Sequence, residues 1–211
     1  MSFEELLAHC RTLPLVESAL RRLREGLSRS LVYHSARHTE DVLEQVLLFA
    51  STDGLSLGEC ELLAIAAAFH DIGFLVRSTD NEVLGAEACE KEMLDHGGYS
   101  AEERKAVMTA ILDTQVKMTP EGPRQVSTSK FSDYLLDADV SNLGRDDFFE
   151  KAELVRAEAG VTDAAKFLNG LVVFLGAHRW YSPAAQQLRA EGKAKNVAAL
   201  LKRTEGLAAP K

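Results

Sequence analysis

Ser56-Leu57-Gly58-Glu59-Cys60-Glu61-Leu62-Leu63-Ala64-Ile65-Ala66-Ala67-Ala68-Phe69-His70-Asp71-Ile72-Gly73 is the stretch whose reading decides the fold. Ser56 and, three residues on, Glu59 form a capping box, each side chain satisfying a backbone N–H at a helix start. The run Leu62–Phe69 is apolar throughout, so this helix ends on a polar pair at an apolar tip. Gly73 permits an unusual backbone turn directly after that pair.

Helical signals extend in both directions. Ser2 and Glu5 form a capping box for a short first helix, and Pro14 favours a break and a new start. Leu15, Leu20, Leu23 and Leu27 carry an apolar stripe onward. Ser35 caps a helix whose Val42, Leu43, Val46, Leu47 and Phe49 make the core face, ended by the turn at Asp53-Gly54. Downstream, a helix from about Asn81 to His96 stops at Gly97-Gly98. Ser100 and Glu103 then open another through Val107, Ile111 and Leu112. Met118 to Ser129, with Pro120, Gly122 and Pro123, reads as irregular and suits an active-site rim. Helices over about Lys130–Leu143 and Asp146–Ala159 follow, then an apolar one around Phe167–Ala177. Ser182-Pro183 opens a last helix to about Arg203, with Gly206–Lys211 as a frayed tail. The expected fold is all-α: a compact helical bundle, with no repeat and no strand-rich region.

At 211 residues, one sizeable core and a single domain over 1–211 are expected. Twenty-four basic against 32 acidic side chains give a formal charge of −8, which argues against binding long nucleic acid. A small nucleotide stays compatible, because a bound cation offsets charge locally. No apolar run reaches membrane-spanning length, and Met1-Ser2-Phe3-Glu4-Glu5 has no basic segment ahead of an apolar one. Cys10, Cys60 and Cys89 are odd in number and unpaired by spacing, so they read as reduced thiols and a cytoplasmic location follows as the default.

The polar residues at helix ends carry the chemistry. His34 and His38 are four apart; with Ser35 as cap, His38 is helical and His34 lies in the entering chain. Either His38 binds a metal with His34 facing the ligand, or both are partly buried histidines held by backbone or carboxylates. Burying the Asp71 carboxylate without a cation or strong donors costs several kcal/mol in order of magnitude; the alternative is a solvent-facing pair with Asp71 on Arg77 or a local amide. Asp137 and Asp139 compete on one helix, one residue apart and pointing differently, or both are surface carboxylates. Two imidazoles and two carboxylates suit a borderline-to-hard divalent ion.

The ordered set His38, His70-Asp71 and Asp139 resembles the histidine-aspartate, or HD, metal-dependent phosphohydrolase superfamily. The surrounding strings Tyr33-His34-Ser35-Ala36-Arg37-His38-Thr39, Phe69-His70-Asp71-Ile72-Gly73 and Leu135-Leu136-Asp137-Ala138-Asp139-Val140-Ser141-Asn142-Leu143-Gly144 carry the likeness beyond the bare signature. It covers a metal-binding core of about 31–143, with helices flanking it on both sides. The resemblance implies that Asp139, not Asp137, is the last ligand. It also implies that His38, His70, Asp71 and Asp139 hold one divalent ion, whether Mn, Mg, Fe, Co, Ni or Zn. His34 matches the histidine that in the related cyclic-nucleotide phosphodiesterases protonates the leaving oxygen, with Tyr33 as its orienter or a pocket wall.

Departures from two-metal members favour a mononuclear site. Asn81-Glu82 stands where a histidine-glutamate pair often occurs, Ile111–Thr114 offers no histidine, and His96 reads as a helix-end cap. Glu82, or Asp80 in the same turn, is expected to order water beside the ion. Arg77, Lys117, Arg124 and Lys130 are candidate phosphate contacts, each equally a solvated surface base, as is Arg37. Arg179–Pro183 offers aromatics for a pocket cover or a subunit contact in a homodimer, with Asn196 bonding across it. No glycine-rich phosphate loop or Cys-His-Cys zinc pattern supports a kinase, P-loop ATPase or zinc deaminase. The expected activity is hydrolysis of a small phosphate ester, with a nucleotide monoester foremost. In that scheme His34 is the general acid and Asp71 the water-aligning group. A cyclic-nucleotide phosphodiesterase, a non-catalytic nucleotide-binding regulatory domain and a purely structural helical protein are the alternatives.

Overall fold

Seven consecutive residues, Leu63–Phe69, are wholly buried, so the helix that contains them is enclosed by the rest of the chain. That helix is α4, Leu57–Phe69. The computed structural model describes residues 1–208. In chain order α1 spans Phe3–Arg11, α2 Pro14–Gly26, α3 Ala36–Thr52, α5 Asn81–His96, α6 Ala101–Asp113 and α7 Lys130–Asp139. α8 spans Phe148–Glu158, α9 Ala164–Ala177 and α10 Pro183–Ala208. Two 3₁₀ turns, Ile72–Leu75 and Ser141–Gly144, follow α4 and α7. The fold is all-α with a minor two-stranded hairpin.

α1, α2, α3, α5, α6 and α7 all pack against α4. Its successive alanines, Ala66, Ala67 and Ala68, let neighbours approach closely, while Phe69 and Ile65 fill the spaces between them. The three capping boxes at Ser2/Glu5, Ser56/Glu59 and Ser100/Glu103 all form. Each is worth on the order of 1 kcal/mol and sets where its helix begins. Cys10, Cys60 and Cys89 are free and buried, and desolvation pushes the Cys10 thiol up to about 12, so it is inert.

The C-terminal helices wrap the far side of this bundle. α10 crosses the second 3₁₀ turn where glycine meets glycine: a Cβ on Gly192 would lie 2.0 Å from the Gly144 carbonyl oxygen. Asn196 Nδ2 donates to the carbonyl oxygens of Leu143 and Arg145, so its hydrogen bonds are used within the chain and not across a subunit contact.

Three local expectations are corrected. Lys117–Thr119 (β1) and Gly122–Arg124 (β2) form an antiparallel hairpin inside the segment expected to be irregular. Strands this short show no alternation, and proline and glycine in the turn hide them. The helix expected over Lys130–Leu143 stops at Asp139, where Val140 leaves helical geometry and the 3₁₀ turn begins. The last helix continues past Arg203 to Ala208, and the part of the expected tail beyond that lies outside the described residues.

Candidate metal centre

Three helix ends converge on one point. His38 lies in the first turn of α3, where Ser35 Oγ accepts its backbone N–H at 3.4 Å. His70 caps the C-terminus of α4, and its Nδ1 donates to the carbonyl oxygen of Ala67 at 2.7 Å. Because a carbonyl only accepts, that bond puts the proton on Nδ1 and frees Nε2 as a ligand. Asp71 begins the 3₁₀ turn, and Asp139 is the last residue of α7.

His38, His70 and Asp71 are buried, and each offers a ligand atom within 4.8 Å of the others. The cluster is able to coordinate a divalent metal. His70 Nε2 lies 3.2 Å from Asp71 Oδ2, and His38 Nε2 lies 3.6 Å from the same oxygen. Asp139 Oδ1 joins at 3.0 Å from His38 Nε2 and 3.6 Å from His70 Nε2.

The donor set fits a cation on an observation independent of motif. His70 Nε2 and Asp71 Oδ2 are buried and have no hydrogen-bond partner. Leaving such atoms unsatisfied costs about 1–3 kcal/mol each, more when charged, whereas a shared ion satisfies both. In the absence of a cation the carboxylates draw a proton instead. Burial opposes charge on His70, but Asp71 and Asp139 outweigh it and hold its pKa well above the ordinary range. Asp139 is held low against its own burial by the hydrogen bond with His38 and by the positive charge of the neighbouring His70. Proton and metal thus compete for the same nitrogen.

Asp71 and Asp139 form part of the wall of a cavity of about 400 Å³, while His38 and His70 lie behind its lining. Tyr33, His34, Asp71, Asn81, Glu82 and Asp139 are among its polar lining, and no lysine or arginine among the described residues lines it. Burial raises the Glu82 pKa, and the nearby Asp71 and Asp139 charges raise it further. Among the described lining residues, His34 is the one side chain able to offset these carboxylates, which favours a bound cation at the cluster.

Two further side chains organise this wall. Glu158, at the end of α8, accepts the backbone N–H groups of Tyr33 and His34 at 2.8 and 3.1 Å and pairs with His34 Nδ1. The His34 ring also stacks on Phe74, and its Nε2 makes no hydrogen bond among the described residues. Burial works to lower the His34 pKa, but the Glu158 bond and the Asp71 charge override it, so the pKa is raised. Gln125 donates from Nε2 to Asp139 Oδ2 at 2.6 Å and to the Thr114 carbonyl oxygen at 2.8 Å, orienting the carboxylate. Sequence reasoning missed both; Gln125 falls within the expected rim segment, while nothing about Glu158 marked it.

The other predicted residues divide. Asp137 is wholly buried away from the cluster and accepts the backbone N–H groups of Tyr181 and Ser182, tying α7 to the start of α10. Glu82 lines the cavity; Asp80 stands exposed in left-handed geometry at the cap of α5. Arg77, Lys117, Arg124 and Lys130 all lie outside the cavity lining. Arg77 donates to the Thr79 carbonyl oxygen, Arg124 pairs with Glu121 at 3.5 Å, and Lys117 and Lys130 are exposed. Arg37 borders a separate surface groove of mixed charge. His96 bonds the Gly97 carbonyl oxygen at its helix end. Tyr181 donates its hydroxyl to the Gln125 carbonyl oxygen, and Trp180 packs into the core.

No family model matches the chain, and no curated protein matches it either.

Proposed function

We propose that the protein is a metal-dependent phosphohydrolase, with His38, His70, Asp71 and Asp139 holding one divalent ion. The observation that carries the reading is the pair of partnerless buried atoms, His70 Nε2 and Asp71 Oδ2, facing each other beside a cavity that His34 also lines. A divalent ion bound there supplies Lewis acidity, polarising a phosphoryl oxygen and easing deprotonation of water.

The chain's own groups perform the remaining work. Asp71 orients the attacking water through its carboxylate field. His34, kept protonated by Glu158, donates a proton to the departing ester oxygen. Glu158 is a positioning residue: it fixes the ring through Nδ1 and leaves Nε2 for the transfer. Gln125 holds Asp139 in one orientation. With no arginine or lysine among the described lining residues, phosphoryl charge is met by the ion and by His34.

The test is metal analysis of freshly purified protein, followed by a panel of phosphate monoesters and cyclic phosphodiesters. Disturbing residues behind metal ligands costs about 10–100-fold, so Asp71→Ala and Asp139→Ala are expected to lose at least that while staying folded. Hydrolysis unchanged by a chelator and by both substitutions overturns the reading. Tight ligand binding with no product marks a binding domain instead.

A further inference from the structure

The cavity lining combines an acidic, polar set of side chains with an apolar set, and we infer from that composition the class of substrate: an ester bearing a single phosphoryl group on an apolar, non-nucleoside remainder. The inference rests on the hydrolase reading for the phosphoryl group. The polar set includes Tyr33, His34, Asp71, Glu82, Gln125 and Asp139. Most of the apolar set follows the last proposed ligand in the chain: Val140, Leu143, Phe148, Val155, Leu171 and Phe174. These come from the end of α7, the 3₁₀ turn after it, α8 and α9. Val116, half-exposed, adds a further apolar group to the lining.

Two exclusions follow. A nucleoside triphosphate brings three to four negative charges to a cavity that already holds Asp71, Asp139 and Glu82 and has no lysine or arginine among the described residues of its walls. One divalent ion offsets only part of that sum. A base and ribose bring many hydrogen-bonding groups, and burying them against valine, leucine and phenylalanine leaves most of them unsatisfied. Among the described residues after Asp139, Asn142 is the one polar side chain on the lining. An alkyl or aryl group has neither problem and gains from burial. At about 400 Å³ the cavity takes one phosphoryl group with a remainder of modest size.

The test uses phosphonates, which bind without being cleaved. Full-length protein incubated with Mn²⁺ is titrated calorimetrically with methylphosphonate, n-butylphosphonate, adenosine 5′-monophosphate and adenosine 5′-triphosphate. Each buried methylene is worth about fourfold in affinity, so butylphosphonate is expected to bind at least about tenfold more tightly than methylphosphonate, and more tightly than either nucleotide. Leu171→Asn and Val155→Asn, both at partly exposed positions, are expected to abolish the chain-length preference, read as the ratio of n-butylphosphonate to methylphosphonate affinity. Equal affinity for the two phosphonates, tighter nucleotide binding, or no phosphonate binding at all overturns the inference. Chain-length preference without hydrolysis of any ester leaves the substrate class standing and removes the hydrolase. Hydrolysis without chain-length preference does the reverse.

Discussion

Replacing Gly73 by alanine places a methyl group where the backbone of another helix already stands. A Cβ at this position would lie 2.1 Å from the carbonyl oxygen of Asn81 and 2.7 Å from its carbonyl carbon and Cα. Neither side has a flexible side chain that can swing away, so relief requires the start of α5 to retreat by roughly 1 Å to reach van der Waals contact. Overpacking of this kind costs about 1–3 kcal/mol, and a backbone-on-backbone clash belongs at the upper end. For a chain of this size about 3 kcal/mol lowers the melting temperature by roughly 6–12 °C. The same retreat carries Asn81 and Glu82 away from Asp71, two positions before Gly73. A 1 Å misplacement costs about 100-fold in rate, so the folded fraction of Gly73→Ala is expected to lose activity as well. Urea denaturation and initial rates per folded molecule separate the two effects. Gly58→Ala, in the first turn of α4 with nothing within 4 Å of its Cβ, is the control, and helix propensity predicts the opposite sign. That change is expected to stabilise by about 0.5–1 kcal/mol. A Gly73→Ala protein as stable and active as the parent refutes the close approach of α5 to the turn after His70-Asp71, and with it the placement of Glu82.

Binding of Mn²⁺ to the folded state alone is expected to add about 2.7 kcal/mol of stability at a hundredfold excess over Kd. The melting temperature by differential scanning fluorimetry therefore rises in the parent and stays put in His70→Ala; equal rises place the ion elsewhere. Glu158→Gln removes the charge that holds His34 protonated, so the alkaline fall in kcat is expected to move to lower pH and kcat to drop about 10–100-fold. An unchanged pH–rate profile rules out Glu158 as the positioning group. Burial, together with the Lys193 ammonium 2.9 Å from Nδ1, pushes the His178 pKa down to about 3, while the unfolded ring titrates near the ordinary 6.5. That contribution is fully present above the unfolded pKa and is lost as pH falls toward the folded one, on the order of 2 kcal/mol between pH 7 and 4.5 for a partly accessible ring. Urea midpoints at the two pH values are expected to differ less in Lys193→Met; an identical acid loss in both proteins contradicts the assignment.

The helices were legible because their start signals are local. Ser56 with Glu59, Ser100 with Glu103, and Ser35 each bond to groups three residues away, and all form as spacing predicts. The His38, His70 and Asp71 cluster was legible through the resemblance of three separate strings to the HD pattern; the apolar helix end by itself left a solvent-facing pair open. The hairpin was not legible, since three-residue strands carry no period and the turn residues resemble a loop. Glu158 was invisible because it meets His34 across 124 residues, and a glutamate at an exposed-looking helix end has no local mark.

The basic residues show the same limit from the other side. Arg77 follows the His70-Asp71 pair across a short loop and Lys117 flanks the rim segment, yet neither lines the cavity, much of whose apolar lining comes from α8 and α9, later in the chain than any proposed ligand. Packing around α4 brings together the helix ends that form the candidate metal site, although they lie far apart in sequence. Sequence proximity to those ends does not select what lines the cavity. The consequence is chemical: with the bases outside and Asp71, Asp139 and Glu82 inside, the charge of the cavity is set by whatever cation the cluster holds. Introducing a lysine at Leu171, on the apolar wall, is therefore expected to weaken metal binding and to raise affinity for adenosine 5′-monophosphate relative to n-butylphosphonate. Competition titrations against a fluorescent chelator, with and without each ligand, read both changes at once. A Leu171→Lys protein that keeps the parent's metal affinity and ligand order would show that this wall does not share the cavity's field with the metal cluster.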